Sequence, residues 1–263
     1  MYSFNYERPT SQNQAQSLLK AGGQALAGGQ TLLASMKQRL LAPEQLVDLG
    51  GLPELRGVCM DADTLVIGAM TTHHDVAHNA LVRQHLPGLA ALADGIGDRQ
   101  VRAMGTLGGS VANNDPAACY PSAVLALNAT VVTDRRRIAA DHFFKGLYAT
   151  ALEEGELITS IRFPATQRCA YAKFKQPASR FALVGVCVAQ SAAGVRVAIT
   201  GAGNGVFRHA GLEAALGQSF TPDAVKNVAV DASELNADLH ASADYRAHLI
   251  KVQTQRAVHL ALG

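Results

Sequence analysis

Three strand-like segments, YAKFKQ, FALVGVCVAQ and GVRVAIT, follow one another between residues 171 and 200 and constrain this chain more than any other feature. β-branched and aromatic residues crowd them, as on a pleated, buried surface. Ala192-Ala193-Gly194 supplies a turn of hairpin length between the last two. The pattern predicts a three-stranded antiparallel sheet. From about His209 the chain reads as helical again, with DYRAHLIKVQTQRAVHLAL carrying its apolar residues on one face.

Upstream, short apolar strands alternate with helices, so the fold class is α+β. A helix over SQNQAQSLLKAG leads to a strand at Gln24 to Ala27, then to the helix LLASMKQRLL, which Pro43 ends. LVDL (46–49) and LVIGAM (65–70) read as strands. His74 to Ala93 reads as helical, divided by Pro87-Gly88, and Met104 to Asn114 reads as loop. A helix over PSAVLAL, the strand TVVT and the strand ELITSIRFP complete this part. The change of pattern at Pro164 to Gln167 predicts two domains, 1–165 and 166–263. The first is expected to have a small α/β lobe (about 1–52) and a larger α+β lobe (53–165).

Two glycine turns carry the functional signal. Ala27-Gly28-Gly29-Gln30-Thr31 lies between a strand and a helix, where paired glycines let backbone N–H groups approach an anion closely. Steric demands of a strand-to-helix turn explain such glycines equally well. Thr106-Leu107-Gly108-Gly109-Ser110 is a second such turn, and two turns with hydroxyl residues suit a diphosphate better than one. Neither is a Walker A element or a dinucleotide-binding Rossmann fingerprint. Gly201 to Gly205 misses that fingerprint by one residue and reads as a plain turn.

Other chemistries find little support. The chain of 263 residues is 48% hydrophobic and 17% charged, with Lys+Arg 23 against Asp+Glu 21, which argues against a nucleic-acid partner. Arg135-Arg136-Arg137 reads as a solvated turn. Cys59, Cys119, Cys169 and Cys187 lack the spacing of a zinc or iron-sulfur site. His73, His74 and His78 invite a metal reading because His74 and His78 share a helix face one turn apart, but two histidines make an incomplete metal site. No Gly-x-Ser-x-Gly elbow or carboxylate couple stands out, and Asp115 reads as a helix cap. A polar start and the lack of a long apolar run predict a cytoplasmic chain without membrane insertion.

The strings AGGQTLLASMKQRLLAPEQLVDLGG and IGDRQVRAMGTLGGSVANNDPAACYPSAVLAL resemble the two FAD loops of the medium subunit in the xanthine dehydrogenase and carbon monoxide dehydrogenase family, the molybdenum hydroxylases. FFKGLYATALEEGELITSIRFP and SADYRAHLIKVQTQRAVHLAL extend the resemblance over nearly the whole chain.

The resemblance implies a two-lobed FAD-binding domain whose loops grip the FAD diphosphate through Ala27, Gly28, Gly29, Gln30 and Thr31 and through Thr106, Leu107, Gly108, Gly109 and Ser110. It places Ile96 beside the flavin ring, Ile158 against the isoalloxazine, and Lys175 near the flavin's polar edge, where a cation would stabilise the anionic reduced form. An ordinary core isoleucine and a solvated lysine are the plainer readings of Ile96 and Lys175. The family's molybdenum cofactor and [2Fe-2S] clusters are expected in a large and a small partner subunit, in a dimer of heterotrimers, with electrons passing to FAD here and on to an external acceptor. Ser110, Cys119 and Arg180 depart from the family's usual acceptors, and each unreplaced hydrogen bond would cost FAD ~1 kcal/mol of binding. A flavin-free scaffold subunit and a free-standing flavin oxidoreductase are the alternative readings.

Overall fold

The computed structural model describes all 263 residues. The first strands, Asn5–Glu7, Gln24–Leu26 and Gln45–Asp48, form a parallel sheet with the last of them in the middle. Parallel pairing needs a crossover, which the helix Gln12–Lys20 provides after Ser11 caps it by accepting from the Gln14 amide. Ala15 and Leu19 of that helix pack on Val47 and Leu49, and on Leu52, Leu55 and Leu157 beyond them.

A five-stranded antiparallel sheet follows, in the spatial order Val58–Asp61, Thr64–Gly68, Ile158–Phe163, Thr130–Thr133, Arg137–Ala139. Ile158, Ile161 and Phe163 of its central strand are buried in the same core as the helix Tyr120–Ala126, in which every residue is buried. The expected division of the 74–93 region is finer than proline alone dictates. Asn79 caps a new helix by accepting from the amides of Leu81 and Val82, so three helices result: His73–His78, Ala80–His85 and Pro87–Asp94.

The C-terminal sheet is four-stranded, a correction to the three expected: Phe207–Arg208 adds to the edge of Gly194–Thr200, beyond Arg168–Lys175 and Ala182–Ser191. Two residues are too few to show an alternating pattern. Covering on both faces explains the near-continuous apolar run of 182–189. Cys187, Ala189 and Ala198 join the core around the helix Tyr120–Ala126. Val184, Val186 and Val188 face Ile250, Ala257 and Val258 of the long helix Ala243–Leu262. The two parts are also pinned by hydrogen bonds. The Thr200 hydroxyl sits 2.6 Å from the Pro116 carbonyl and 2.7 Å from that of Ala118, while the Gly201 amide donates to Pro116 at 2.7 Å. No helix is long and apolar enough to cross a membrane.

Candidate cofactor site

The glycine turns, 80 residues apart in sequence, meet in space. A β-carbon on Gly28 would stand 2.1 Å from the Met104 carbonyl oxygen, and one on Gly109 would stand 3.2 Å from the Ala27 side chain. Glycine is therefore required for the two loops to touch. Beside their contact opens a cleft of about 550 Å³, lined by Ala27 to Thr31 from the first loop and by Thr106, Gly108, Gly109 and Ser110 from the second.

The loops offer different chemistry. None of the backbone amides of Gly28, Gly29, Gln30 and Thr31 donates to any acceptor of the chain, and Gly29 takes a positive φ of 70° that turns the backbone there. Four successive free N–H groups make a concave donor set for oxyanions. The second loop is already spent: the amides of Leu107 and Gly108 donate to Thr71 and Ala69, and those of Gly109 and Ser110 turn back to Thr106. It offers close approach and hydroxyls instead of a row of amides.

The expected loop over Met104 to Asn114 is largely helical, Leu107–Asn113. Thr106 caps it by accepting from the Gly109 amide, buried Leu107 and Val111 anchor it, and left-handed Asn114 ends it at φ 44°. Leu107 consequently serves the core and has no face on the cleft. The Asn114 amide nitrogen donates to the carbonyls of Gly146 and Ala149, both at 2.8 Å, and so ties in the hairpin whose Tyr148 borders the cleft. Asp115 does not cap the next helix, which begins only at Tyr120; its carboxylate accepts from the Ala117 amide at 2.8 Å in a tight local turn.

Ile96 and Ile158 both line the cleft. The segment bearing Ile96 is held from two sides: Arg102 donates to the carbonyls of Ile96 and Gly97, and Arg180 reaches across to Gly97 at 3.3 Å. Lys175 lies outside the cleft. Lys173 borders it instead, with its ammonium 3.3 Å from the Cys119 sulfur and 3.1 Å from the Arg180 carbonyl. The strand register shifts between Phe174 and Lys175, and the chain turns off after that point. Lys173 and Arg180 put positive charge on the C-terminal wall.

His73, one of the three histidines that suggest a metal, lines the cleft, as does Glu156, which residue spacing does not single out. His73 is 5% exposed, its Nδ1 has no partner, and burial with the Arg102 charge nearby lowers its pKa to about 4, so it is neutral at pH 7. It packs away from the stacked pair His74 and His78. Glu156 is buried and fully engaged: both oxygens meet the Arg136 guanidinium at 3.0 and 2.9 Å, with further donation from Thr133 and the Glu153 amide. The Arg136 hydrogen bond leads the causes that hold its carboxyl at about 2. The arginine cluster, expected to be a solvated turn, is thus partly a clamp.

Residues 2–166 match the family described as "FAD binding domain in molybdopterin dehydrogenase", and residues 169–261 match "CO dehydrogenase flavoprotein C-terminal domain". The chain belongs to the FAD-binding medium subunits of the molybdenum hydroxylases. The carbon monoxide dehydrogenase medium chain of Hydrogenophaga pseudoflava is 37% identical over 98% of this chain and 96% of its own length. The glyceraldehyde dehydrogenase medium chain of Sulfolobus acidocaldarius is 34% identical over 97% and 96%. Among solved structures, carbon monoxide dehydrogenase from Hydrogenophaga pseudoflava superimposes with a TM-score of 0.92 at 37% identity, covering 99% of this chain and 98% of that one. Quinoline 2-oxidoreductase from Pseudomonas putida 86 gives 0.89 at 28% identity, covering 99% and 97%. The chain is an oxidoreductase subunit of this family, and FAD is its cofactor. The free amides of Gly28 to Thr31 fit a diphosphate, and the basic wall fits its charge.

Proposed function

We propose that this chain is the electron-transferring FAD subunit of a three-subunit molybdenum hydroxylase. In this reading a large subunit holds the molybdenum cofactor, a small subunit passes electrons from [2Fe-2S] clusters, and the complex pairs as a dimer of heterotrimers. FAD supplies the ability to exchange electrons singly or in pairs. The observation that carries the reading is the row of unengaged amides at Gly28 to Thr31, opening onto a cleft whose other wall bears Lys173 and Arg180.

The residues divide the work. Ala27 to Thr31 grip the diphosphate, and Thr106, Gly108, Gly109 and Ser110 form the second side of that grip. Ile96 and Ile158 give the flavin ring an apolar bed. Lys173, in the place expected of Lys175, provides the cation that favours the reduced, anionic state. Glu156 is committed to Arg136, Thr133 and the Glu153 amide, which leaves it no free oxygen for acid-base chemistry. Residues 1–165 carry the cofactor, and 166–263 close over it. That the relatives are named medium chains and subunits supports companions for this chain too.

The test is affinity purification of the tagged chain from its own cell, followed by anaerobic reduction of the material by its substrate. A large and a small subunit should co-purify, and the flavin should bleach only when both are present. A flavin-free complex, or a lone chain that turns substrate over, would refute the proposal.

A further inference from the structure

Behind the strand that forms one wall of the cofactor cleft lies a second depression, of about 640 Å³. The helices Pro87–Asp94 and Ala243–Leu262 pack on either side of the strand Arg168–Lys175 and leave the space between them. Lys175, Arg256 and His259 stand at its exposed rim, and no carboxylate lines it. None of the three is in an ion pair, although twelve ion pairs occur elsewhere in the chain. Three basic side chains thus line it with no counter-charge.

A second observation is independent of the rim. Gln253 lines the same depression, is only 1% exposed, and has no partner for either its amide nitrogen or its amide oxygen. A buried primary amide left unpaired is costly, and such a group in a native fold calls for a ligand or a water. Leu92, Pro222 and Leu260 supply apolar surface beside it. Basic rim, buried amide and apolar wall together describe a concave site with few, convergent polar groups.

We propose that this depression binds a phosphate monoester of a soluble small molecule. A phosphate carries about −1.5 to −2 charges and three acceptor oxygens at neutral pH, which matches an arginine fork, a lysine and an imidazole better than a singly charged carboxylate does. The amide of Gln253 would meet a polar group of the ester, and Leu92, Pro222 and Leu260 its carbon skeleton. Lys173 lines both this depression and the cofactor cleft, so occupancy on one side changes the field on the other. The assignment stands on the depression alone and does not depend on how electrons reach the flavin.

Isothermal titration of the full FAD-loaded chain with phenyl phosphate and with inorganic phosphate tests it. Phenyl phosphate should bind saturably at one site per chain and more tightly than inorganic phosphate. Arg256→Gln and Lys175→Gln should each weaken it by about tenfold, as loss of a charge-assisted hydrogen bond does, with flavin content unchanged. Gln253→Leu, which keeps the charges, should weaken the ester and leave inorganic phosphate nearly as before. Absence of saturable binding, equal affinity for both ligands, or indifference to Arg256→Gln would overturn the proposal. Loss of binding on assembly, together with weaker co-purification of a partner by the Arg256→Gln chain, would overturn it as well, in favour of a subunit interface.

Discussion

Gly28 lies against Met104 so closely that a single methyl group at Gly28 would stand 2.1 Å from the Met104 carbonyl oxygen and 2.7 Å from the α-carbon of Gly105. Backbone sits on backbone there, and no flexible side chain can move aside. Gly28→Ala is expected to part the two loops and cost ~1–3 kcal/mol, the usual price of overpacking. The ratio of bound flavin to protein after desalting should fall about tenfold or more. Gly217→Ala, where the new carbon would meet nothing within 4 Å, should leave that ratio unchanged.

His73 makes stability depend on pH. Its folded pKa of about 4 lies below the ordinary 6.5, so the folded state binds the proton less well than the unfolded chain. The contribution is fully present above pH 6.5 and drains away as pH falls toward 4. Between pH 7 and 5 the loss should be about 2 kcal/mol. Denaturant titrations at both pH values, compared between the natural chain and His73→Gln, isolate the share of this one histidine. An equal pH response in the two proteins would count against the buried, neutral imidazole.

Arg136 and Glu156 form the clamp that secures the strand start at Ile158. Arg136→Ala strands a buried carboxylate, yet Arg136 is itself 42% exposed and its charge is screened by solvent, so the variant should be destabilised by less than the loss of a fully buried pair would cause. With the Glu156 pKa near 2 against an ordinary 4.5, this contribution is complete above pH 4.5 and is lost as pH falls toward 2. Thermal unfolding at pH 7 and pH 3 should show the variant's deficit shrinking in acid. A deficit that persists at pH 3 would assign Arg136 a packing role only.

Lys173 and Lys175 should separate cleanly in redox titrations. Lys173→Gln removes a cation from the cleft and should lower the flavin's two-electron potential, by about 30 mV for each tenfold change in relative affinity for its two oxidation states. Lys175→Gln should leave the potential where it was. The reverse result would restore Lys175 to the position that its sequence neighbourhood suggested.

What could be read from residues alone follows from how local its cause is. Gly28-Gly29 announces a turn because both the φ freedom and the close approach belong to glycine itself. The helix over Leu107–Asn113 hides behind the same logic: Gly108-Gly109 argues against a helix, while the forces that make one are the Thr106 cap, the Asn114 reversal and the burial of Leu107 and Val111. Residues alone do not favour Lys173 over Lys175, because a shift of register between Phe174 and Lys175 has no signature in an alternating pattern. The role of Arg136 depends on Glu156, twenty residues on, and no spacing rule pairs them. His73 reads with His74 and His78 as part of a metal candidate, whereas the structure buries it beside the cleft that it helps to line.

The seam between the two halves has a meaning for recombination. The matched segments part between residues 166 and 169, which invites cutting there when relatives are spliced. Yet Pro116 and Ala118, from the first segment, are the acceptors for Thr200 and Gly201 of the second. A splice at the apparent boundary would set one parent's strand end against the other parent's turn, beside the glycine loops. Exchanging residues 115–119 together with the C-terminal half keeps that keystone with its arch, so grafting within this family is a three-piece operation.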